Sequence, residues 1–514
     1  MCGIVCLFGE ERSVPLNLLT HRGPDDFKST TLGRCRIDYY RLAINDLSSS
    51  GMQPFEYKDL FLFACNGEIY NYKDLQVGEE TSSSDCEPVM HVIRLLGVKN
   101  ALEMIRGDFA FIYTDGSHVI AARDPVGVRP LFYTRYADGS IAFASEAKAL
   151  RFLETPICVF PPGNFYDSTI DDFVCYYSMH WRINTLDRVL RSSSAFDIQK
   201  TFEGAVKIRL EMSDRPKGFL LSGGLDSSLV CAIAQRKSSR PIRTFSIGLE
   251  GSPDLEAARV VADFLGTNHT EIKYTIEEGL EVIPEVIRAI ESWDTTTVRA
   301  SVPNYLLCKY ISQNTDVRYL FSGEGSDEIL GGYYYFRYAP NVHDFSMENM
   351  RRLRLIHQFD GLRADRCAAA WGLDLVVPFL DKEFIEVCMT MPQSLKMTSL
   401  EKDVLRRAFH GYLPDIILYR NKAAFSDAVG DAWVRRLRDL GDNISDTMMD
   451  NIRLMCRGQN EPRTKEEAFY RDIFWAHFGS MNDSLIREYW RPRWTTQTDP
   501  SARLLIENDR TTCK

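Results

Sequence analysis

Short apolar and alternating stretches fill the chain up to about Tyr177. Gly, Pro, Asp and Ser separate them, a pattern typical of antiparallel strands joined by turns. The stretches are RLAIND, LFLFACNGEIY, DFAFIYTD, HVIAARD, PLFYTRY and SIAFASEAK. Two amphipathic segments, near Glu87 to Leu96 and Asn100 to Ile105, predict helices that cover a sheet. The pattern therefore predicts an α+β sandwich of strands and helical layers.

The pattern changes after PPGNFYD, which ends at Asp167. A helix is predicted within DRVLRSSSAFDIQKTFEGAVKIRL at 187–210. Beyond it, KGFLLSG, IRTFSIGL, HTEIKY and VRYLFSG have the pattern of strands, and DSSLVCAIAQRK and PDLEAARVVADFLG that of helices. Strands that alternate with helices predict an α/β doubly wound parallel sheet, here followed by extra helices.

The length of 514 residues exceeds what one hydrophobic core usually serves, so two or more domains are expected. We place the first at 2–180 and the second at 200–480, with a polar C-terminal tail at 481–514. A hydrophobic content of 45% and a charged content of 26% are ordinary for a globular chain. Composition thus predicts compact domains rather than disorder.

Charge and cysteine usage narrow the class of protein. The formal net charge is −10 without a long basic run, which argues against a nucleic acid partner. Thirteen cysteines include no C-x-x-C pair, which argues against structural zinc and a disulfide framework. The apolar stretch after Met1 ends by Glu10 and is too short for a signal sequence or a membrane span. We expect a cytoplasmic protein with small-molecule substrates and no membrane partner.

The chain opens MCGIVCLFG, with a thiol directly behind the initiator methionine. Cys2 on its own is equally well explained as a small residue at the head of a strand. If Met1 is removed, however, Cys2 carries a thiol and a free α-amine whose reference pKa is about 7.7. Since that amine can take the thiol proton, as in amino-terminal threonine enzymes, one residue supplies both nucleophile and base.

Acyl transfer also requires hydrogen-bond donors for a developing oxyanion. NGE at 66–68 follows an apolar strand and offers the Asn66 side-chain amide and the Gly67 N–H. An N-G dipeptide more commonly forms a plain turn, and that alternative stays open on these residues alone.

A wider set of motifs points to one chemistry. MCGIVCLFG, HRGPDD at 21, RLAIND at 41, NGEIYNY at 66, GDFAFIYTD at 107, ARDPVGVRPLFY at 122 and SEAKAL at 145 resemble the glutaminase domain of amidotransferases with an amino-terminal cysteine nucleophile. The resemblance implies an αββα sandwich in which Cys2 attacks the amide of glutamine, with Asn66 and Gly67 as the oxyanion hole. Arg41 and Asp85 would bind the charged ends of glutamine, since they supply a bidentate cation and an acid. The pocket would be completed by Leu42, Ala43, Ile44, Asn45 and Glu68.

The second region contains SGGLDSS at 222–228, between a predicted strand and a predicted helix. Successive backbone N–H groups and a helix N-terminus can face an anion there, and Asp226 can hold Mg²⁺ beside phosphate oxygens. The absence of G-x-x-x-x-G-K-[ST] excludes a Walker loop. A glycine-rich strand-to-helix turn without a ligand is the alternative.

SGEGSDEILGGY at 322–333 crowds Glu324, Asp327 and Glu328 among glycines after another strand. Such crowding is costly unless a cation or a proton relieves it, although acids also favour helix starts without any ligand. We expect Asp327 beside Mg²⁺ and phosphate, and Glu324 near the reacting carboxylate.

These two motifs resemble the synthetase domain of the glutamine-hydrolysing asparagine synthetase family. FSIGLEGSPDLEAARVVADFLG, DTTTVRAS, LRADR, VPFLDKEF, EKDVLRRAF and NKAAFSDAVG extend the match to about residue 430. The resemblance implies aspartate, glutamine and ATP as substrates, with Mg²⁺, a β-aspartyl-AMP intermediate, and Glu324 and Lys422 as catalytic residues. The ATP site would comprise Leu221, Ser222, Gly223, Gly224, Asp226, Ser227, Ser228, Ile247, Ser322 and Gly323, with Asp226 and Asp327 on the metal.

This chain departs from the family pattern at three places. The segment between the opening glycine and HRGPD is shorter, and Ala423 and Ala428 stand where the family has an acid and a glycine.

Two alternatives to this function remain: a related amidotransferase or cyclising ligase with another carboxylate acceptor, and a catalytically silent interaction protein. A homodimer is also left open. Since ammonium is not nucleophilic, an apolar passage for ammonia between the two domains is expected.

Overall fold

The computed structural model describes residues 1–10, 14–181, 195–420, 431–456 and 458–495. The predicted catalytic Lys422 and the two alanines that depart from the family pattern, Ala423 and Ala428, lie outside these ranges. Of the helix predicted at 187–210, the described part begins at Ala195.

The first part of the chain folds into antiparallel strands, as its alternating pattern predicts. They are β1 (Gly3–Phe8), β2 (Asp26–Leu32), β3 (Cys35–Arg41), β4 (Phe55–Tyr57), β5 (Phe61–Ile69), β6 (Gly107–Thr114), β7 (Val119–Arg123), β8 (Phe132–Arg135), β9 (Ile141–Ala144), β10 (Cys158–Val159), β11 (Asn164–Asp167) and β12 (Asp172–Cys175). One six-stranded sheet has the order β10-β8-β9-β1-β3-β2 and the other β12-β11-β7-β6-β5-β4.

The two sheets stack face to face with a dry core between them. Ile4 and Ile37 of the first sheet meet Ala64 and Ile112 of the second, because alternate residues of each strand point inward. The helices of this part are α1 (Tyr72–Leu75), α2 (Glu87–Leu96), α3 (Val98–Met104) and α4 (Ala147–Leu150). Helices α2 and α3 cover the second sheet, and α4 packs on β8 and β9 of the first. The predicted αββα sandwich is confirmed.

The motif NGE lies inside a strand rather than at a turn. Strand β5 continues to Ile69, and Asn66, Gly67 and Glu68 pair with Ala110, Phe109 and Asp108 of β6. A Cβ on Gly67 would lie 2.2 Å from the Asp108 carbonyl oxygen, so glycine permits the close approach of the two strands. The turn that an isolated N-G dipeptide favours does not form, because pairing with β6 outweighs the local preference.

The second part of the chain is built on a parallel sheet. Its strands are β13 (Lys217–Leu220), β14 (Arg243–Gly248), β15 (Asn268–Lys273), β16 (Tyr319–Phe321) and β17 (Asp374–Val376). Their spatial order is β15-β14-β13-β16-β17, and every pairing is parallel. The chain direction of the crossovers reverses between β13 and β16, which is where doubly wound sheets bind ligands.

Helices surround this sheet and continue beyond it. They are α5 (Ala195–Leu210), α6 (Leu225–Lys237), α7 (Pro253–Leu265), α8 (Ile276–Glu281), α9 (Ile283–Ile290), α10 (Thr295–Asn314), α11 (Ser326–Leu330), α12 (Val342–Leu355), α13 (Asp360–Ala369), α14 (Lys382–Thr390), α15 (Asp403–Ala408), α16 (Asp415–Leu418), α17 (Asp431–Asp439), α18 (Asp446–Met455) and α19 (Lys465–Phe478). The alternation predicted between 217 and 323 is thus confirmed as a doubly wound sheet with additional helices.

Residues 481–495, which the sequence pattern assigns to a polar tail, pack against the second part of the chain. Leu485, Ile486 and Tyr489 are buried in its apolar core, and Trp490 is buried beside them. The backbone N–H of Trp490 donates to Asp294 over 2.6 Å. Apolar side chains spaced among polar neighbours contribute to the core here, so the described residues do not extend from the domain as a tail.

Buried charges join the sandwich to the parallel-sheet region. Arg22 contacts Glu146 of the sandwich at 2.8 Å and Asp365 of α13 at 2.9 Å, with all three side chains almost fully buried. Arg129 forms an ion pair with Asp374 at 2.9 Å, at the first residue of β17. Since apolar residues of both regions also share one continuous cluster, the two regions are packed as a unit.

Among the described residues, no helix has the length and apolar character needed to cross a membrane.

Candidate active sites

The first candidate site is a cavity at the open end of the sandwich, with an empty volume of about 430 Å³. It is lined by most of the residues that the sequence predicts for glutamine binding, namely Cys2, Arg41, Leu42, Ala43, Ile44, Asn45, Gly67, Glu68 and Asp85. They come from four segments, and the pairing of β1 with β3 and the position of β5 bring three of these together, while Asp85 lies just before α2.

Cys2 lies directly before β1 and is partly exposed. Its Sγ lies 3.4 Å from the Leu42 backbone N–H, which donates to it, and its carbonyl accepts from Arg22 Nε over 2.9 Å. The Met1 ammonium is fully buried and lies 3.5 Å from an oxygen of Asp374. Burial lowers the pKa of this amine, although the Asp374 charge opposes the shift. The thiol thus faces the cavity from a backbone fixed by an arginine.

Arg41 ends β3 with its guanidinium directed to the loop that follows. It donates to the carbonyl oxygen of Ser48 over 2.7 Å and to that of Asp46. Both partners are neutral carbonyls, so the positive charge of Arg41 has no carboxylate in these contacts. A cation held this way suits an anionic group such as a carboxylate.

Asp85 lies two residues before α2 and is almost fully buried. Its carboxylate accepts from the Ile69 N–H over 2.7 Å. Burial raises the pKa of Asp85 to about 6, because desolvation disfavours the charged form. The ionised form therefore gains more than an exposed acid would from a cation in the cavity.

Asn66 is the predicted residue that the cavity wall does not include. Its side chain is fully buried in β5, and within the described chain both of its amide atoms lack a hydrogen-bond partner. Since an unpaired buried amide is costly, such a group is typical of a site that a ligand completes. Gly67 beside it does line the cavity.

Several residues of this cavity carried no signal in the sequence. They are Tyr39, Gln53, Ser84, Cys86 and Asp374. Asp374 comes from the parallel-sheet region, and Tyr319 of β16 donates to Glu68 Oε2 over 2.7 Å. Contacts so distant along the chain depend on how the two regions dock, and no local motif predicts them.

The second candidate site is larger, with an empty volume of about 1480 Å³ that includes open solvent. It lies at the carboxyl ends of β13, β14 and β16, where the predicted ligand loop was expected. Its walls include Leu221, Ser222, Gly224, Asp226, Ser227, Ile247, Ser322, Gly323, Glu324 and Asp327. Of the remaining predicted residues, Ser228 is fully buried behind the wall, and the Gly223 carbonyl accepts from Arg420 over 3.2 Å.

The loop before α6 is shaped by glycines and serines. Gly223 has a φ of +72°, and a Cβ there would lie 2.5 Å from the backbone of α7. The hydroxyls of Ser222 and Ser227 are 3.0 Å apart, and no side chain caps the N-terminus of α6. Since the first N–H groups of a helix have no partner within it, this end of α6 suits an anion.

Two acids of the motif at 322–333 form ion pairs with different cations. Glu324 pairs with Arg363 of α13 at 2.8 Å, and Arg363 also pairs with Asp360 at 2.8 Å. Asp226 and Asp327 both contact the Lys402 ammonium, at 2.6 and 2.7 Å. The two acids predicted to hold a metal therefore converge on one cation.

Asp226 and Asp327 are close enough to one positive charge to suggest that they could also hold Mg²⁺. Among the described residues, no group of three or more His, Cys, Asp or Glu side chains is arranged to hold a metal ion. Mg²⁺ commonly uses only one or two carboxylates and takes its other ligands from phosphates and water. Asp226 and Asp327 surround the Lys402 ammonium beside the loop at 222–228, which suits phosphate. This arrangement fits Mg²⁺ held by two carboxylates and by phosphate oxygens.

Sequence reasoning assigned no role to several charged and polar residues of the larger cavity. They include Thr296, Asn304, Tyr333, Asp360, Arg363, Lys402, Arg420 and Trp490. Two signals were available, because Arg363 lies in LRADR and Lys402 in EKDVLRRAF. Their place inside motifs that already carried the family resemblance is the signal that could have singled them out.

Comparison with known families agrees with this division. Residues 1–158 match the model described as glutamine amidotransferase domain, and residues 197–351 and 340–506 match the model described as asparagine synthase. A thiol cavity in an antiparallel sandwich, joined to an anion loop on a parallel sheet, defines the class of two-domain amidotransferases.

Individual relatives are similar over nearly the whole chain. "Asparagine synthetase [glutamine-hydrolyzing] 2" of Arabidopsis thaliana is 40% identical over 98% of this chain and 95% of its own. "Asparagine synthetase [glutamine-hydrolyzing]" of Bos taurus is 41% identical over 98% of each chain. The chain therefore belongs to the glutamine-hydrolysing asparagine synthetase family. Among solved structures, a glutamine phosphoribosylpyrophosphate amidotransferase from B. subtilis matches 52% of this chain and 81% of its own, at 18% identity and a TM-score of 0.30.

Proposed function

We propose that this protein makes asparagine from aspartate, using ATP to activate the acid and glutamine to supply nitrogen. The products are asparagine, AMP, pyrophosphate and glutamate. The observation that carries the proposal is about 40% identity to glutamine-hydrolysing asparagine synthetases over 98% of the chain.

In the first cavity, Cys2 is the proposed nucleophile. Removal of Met1 would leave the α-amine on Cys2, close enough to its own thiol to take the proton. The thiolate attacks the amide carbon of glutamine, the oxyanion accepts from Asn66 and Gly67, and ammonia leaves with the proton. Water then hydrolyses the thioester to glutamate and restores the thiol. Arg41 and Asp85 would orient glutamine by its carboxylate and its ammonium.

In the second cavity, the side-chain carboxylate of aspartate attacks the α-phosphorus of ATP, and pyrophosphate leaves. Ammonia then attacks the acyl carbon of β-aspartyl-AMP, and AMP leaves with the electron pair of the broken bond. We assign the phosphates to the loop Ser222 to Ser228, the adenine to Leu221 and Ile247, and the nucleotide also to Ser322 and Gly323. Glu324 would lie at the reacting carboxylate.

Bound Mg²⁺ would neutralise phosphate oxygens, and Asp226 and Asp327 are the residues proposed to hold it. Lys422 is kept as a proposed catalytic residue on the resemblance alone, since it lies outside the described residues.

Ammonia must pass between the two cavities without becoming protonated. The apolar cluster that spans both regions includes Leu42, Val128, Phe321 and Leu375, which supports an apolar passage.

The domain bounds of 2–180 and 200–480 are kept as a proposal. Residues 481–495 are assigned to the second domain, because Leu485 and Trp490 are buried there. A cytoplasmic location is proposed because every cysteine within the described ranges has a free thiol.

The test is an assay of the purified protein with ATP, aspartate and glutamine. Formation of asparagine with equal amounts of AMP and pyrophosphate is expected. Absence of asparagine and AMP would contradict the proposal, and AMP formation with another carboxylate in place of aspartate would favour a related ligase. Intact-mass spectrometry of the active protein should find Met1 removed, and retention of Met1 would contradict the role of Cys2.

A further inference from the structure

Lys402 lines the second cavity and contacts both acids proposed to hold a metal. Its side chain is only 2% exposed, and its ammonium contacts Asp226 at 2.6 Å and Asp327 at 2.7 Å. Asp226 also accepts from the Ser326 hydroxyl over 2.8 Å. One buried cation therefore contacts a carboxylate of the ligand loop and a carboxylate of the acidic motif.

The backbone around Lys402 is built to deliver this ammonium. Lys402 has a φ of +57°, a left-handed conformation that non-glycine residues seldom adopt, immediately before α15. Gly332 provides the space for its side chain, because a Cβ there would lie 2.0 Å from Lys402 Cε and 2.3 Å from Asp327 Oδ1. A strained residue and a glycine thus fix the lysine against both acids, which is more than charge balance on a surface requires.

The position of the ammonium conflicts with a divalent cation on the same two carboxylates. An ammonium and a dication repel each other strongly at such separations, and each competes for the same oxygens. Phosphate oxygens relieve the conflict, since they supply negative charge for both cations at once. The anion loop at the N-terminus of α6 places such oxygens in the same cavity.

We infer that Lys402 is a positioning residue that keeps Asp226 and Asp327 from binding a divalent cation until a polyphosphate is present. The inference rests on the proposed function of this cavity. When a polyphosphate binds, the lysine pairs with its oxygens and the two carboxylates become available to the metal. Metal and nucleotide therefore bind cooperatively, and the acids remain in place while the cavity is empty.

The first test uses the unmodified full-length protein and Mn²⁺ as the probe, with free Mn²⁺ measured by electron paramagnetic resonance. Without nucleotide, the second cavity is expected to bind Mn²⁺ no better than millimolar, as two acids paired to a lysine should. With a non-hydrolysable ATP analogue, the complex should hold Mn²⁺ at least about tenfold more tightly than the analogue alone. Tight binding of Mn²⁺ without nucleotide would overturn the inference.

The second test removes the charge of the lysine while keeping its length. Lys402→Met should create one Mn²⁺ site per chain in the absence of nucleotide, at least about tenfold tighter than in the unmodified protein. The added substitution Asp226→Asn should abolish that site. No gain of Mn²⁺ affinity in a folded Lys402→Met protein would overturn the inference.

A matched control is available in Lys396, which is also buried. Its ammonium donates to two neutral groups, the Ile329 carbonyl over 2.6 Å and Asn349 Oδ1 over 2.9 Å. Lys396→Met should gain no Mn²⁺ site, and an equal gain in both variants would also overturn the inference. If Lys402→Met does not fold, the measurement on the unmodified protein still decides.

The outcome is independent of the proposed reaction. A protein that makes asparagine but shows tight nucleotide-free Mn²⁺ binding would refute only the role of Lys402. Cooperative Mn²⁺ binding by a protein that makes no asparagine would refute only the proposed function.

Discussion

Asp85 is a residue whose ionisation should be visible in the kinetics of glutamine use. Burial raises its pKa to about 6, so below that pH the carboxyl becomes neutral and can no longer pair with the ammonium of glutamine. The KM for glutamine is expected to rise about tenfold per pH unit below pH 6, while it stays flat above pH 7. Kinetics with glutamine from pH 5 to 8 test this, with Asp85→Asn as the control, whose KM for glutamine should be high throughout and should not rise further below pH 6. An equal rise of KM in both proteins would contradict the assignment.

Gly323 occupies a position where there is no room for a side chain. A Cβ there would lie 2.6 Å from the Ser227 backbone nitrogen, so Gly323→Ala must displace the start of α6. We expect it to reduce AMP formation by about a hundredfold or more, because a displacement of about 1 Å is enough for that. Glutamine hydrolysis should be retained. Gly204→Ala, a glycine of α5 with no atom within 4 Å of its added Cβ, is the control. Equal loss in both variants would refute the prediction.

The residues that sequence could identify are those whose chemistry is unusual where they stand. Cys2 behind Met1 and the serines among glycines at 222–228 are of this kind. Asp374 and Lys402 were not identified, since one acid or one lysine is ordinary until folding places it beside other charges. The physical signal for both residues is burial, which local sequence does not report.

Helix α13 is the element that contacts both sites. Arg363 lines the second cavity, Asp365 pairs with Arg22, and Arg22 donates to the carbonyl of Cys2. Arg363 and Asp365, two residues of one helix, thus link the acceptor cavity through Arg22 to the thiol segment.

The pair between Arg22 and Asp365 predicts a large effect on stability. Asp365→Ala should lower the free energy of unfolding by about 3 kcal/mol, because it leaves a fully buried guanidinium with one carboxylate fewer. Glu56→Gln removes a surface pair with Lys28 and should change it by less than about 1 kcal/mol. Urea unfolding measures both, and equal changes would contradict the structural role of α13.

At the level of elements, most strands and helices of the three sheets followed from periodicity. Strands β2, β12 and β17 were not predicted, and RLAIND, predicted as a strand, contributes only Arg41 to β3 because the chain turns into the cavity loop there. Two other exceptions have tertiary causes. NGE joins β5 because β6 pairs with it, and residues 485–490 are buried because the second domain offers an apolar surface to four scattered side chains. Neither partner is local in sequence.

At the scale of the whole molecule, the first site releases ammonia from glutamine and the second site uses that ammonia to make asparagine. Cys2→Ala should abolish the use of glutamine, by about a thousandfold or more, since it removes the thiol that attacks the glutamine amide. Synthesis from ammonia should continue at a similar rate, because the second cavity is unchanged. Cys6→Ala, which removes a buried thiol of the strand that follows Cys2, is the control and should keep both activities. Loss of ammonia-dependent synthesis in Cys2→Ala alone would contradict the separation of the two sites.

The most direct measurement follows the nitrogen itself. The unmodified protein is incubated with ATP, aspartate, glutamine labelled with ¹⁵N in its amide, and an excess of unlabelled ammonium, and the asparagine is analysed by mass spectrometry. The account predicts asparagine whose side-chain amide is enriched in ¹⁵N well above the ammonium in solution, with one AMP formed for each molecule. Asparagine no more enriched in ¹⁵N than the ammonium in solution would contradict it, because the ammonia would then have come from solution rather than from the thiol cavity.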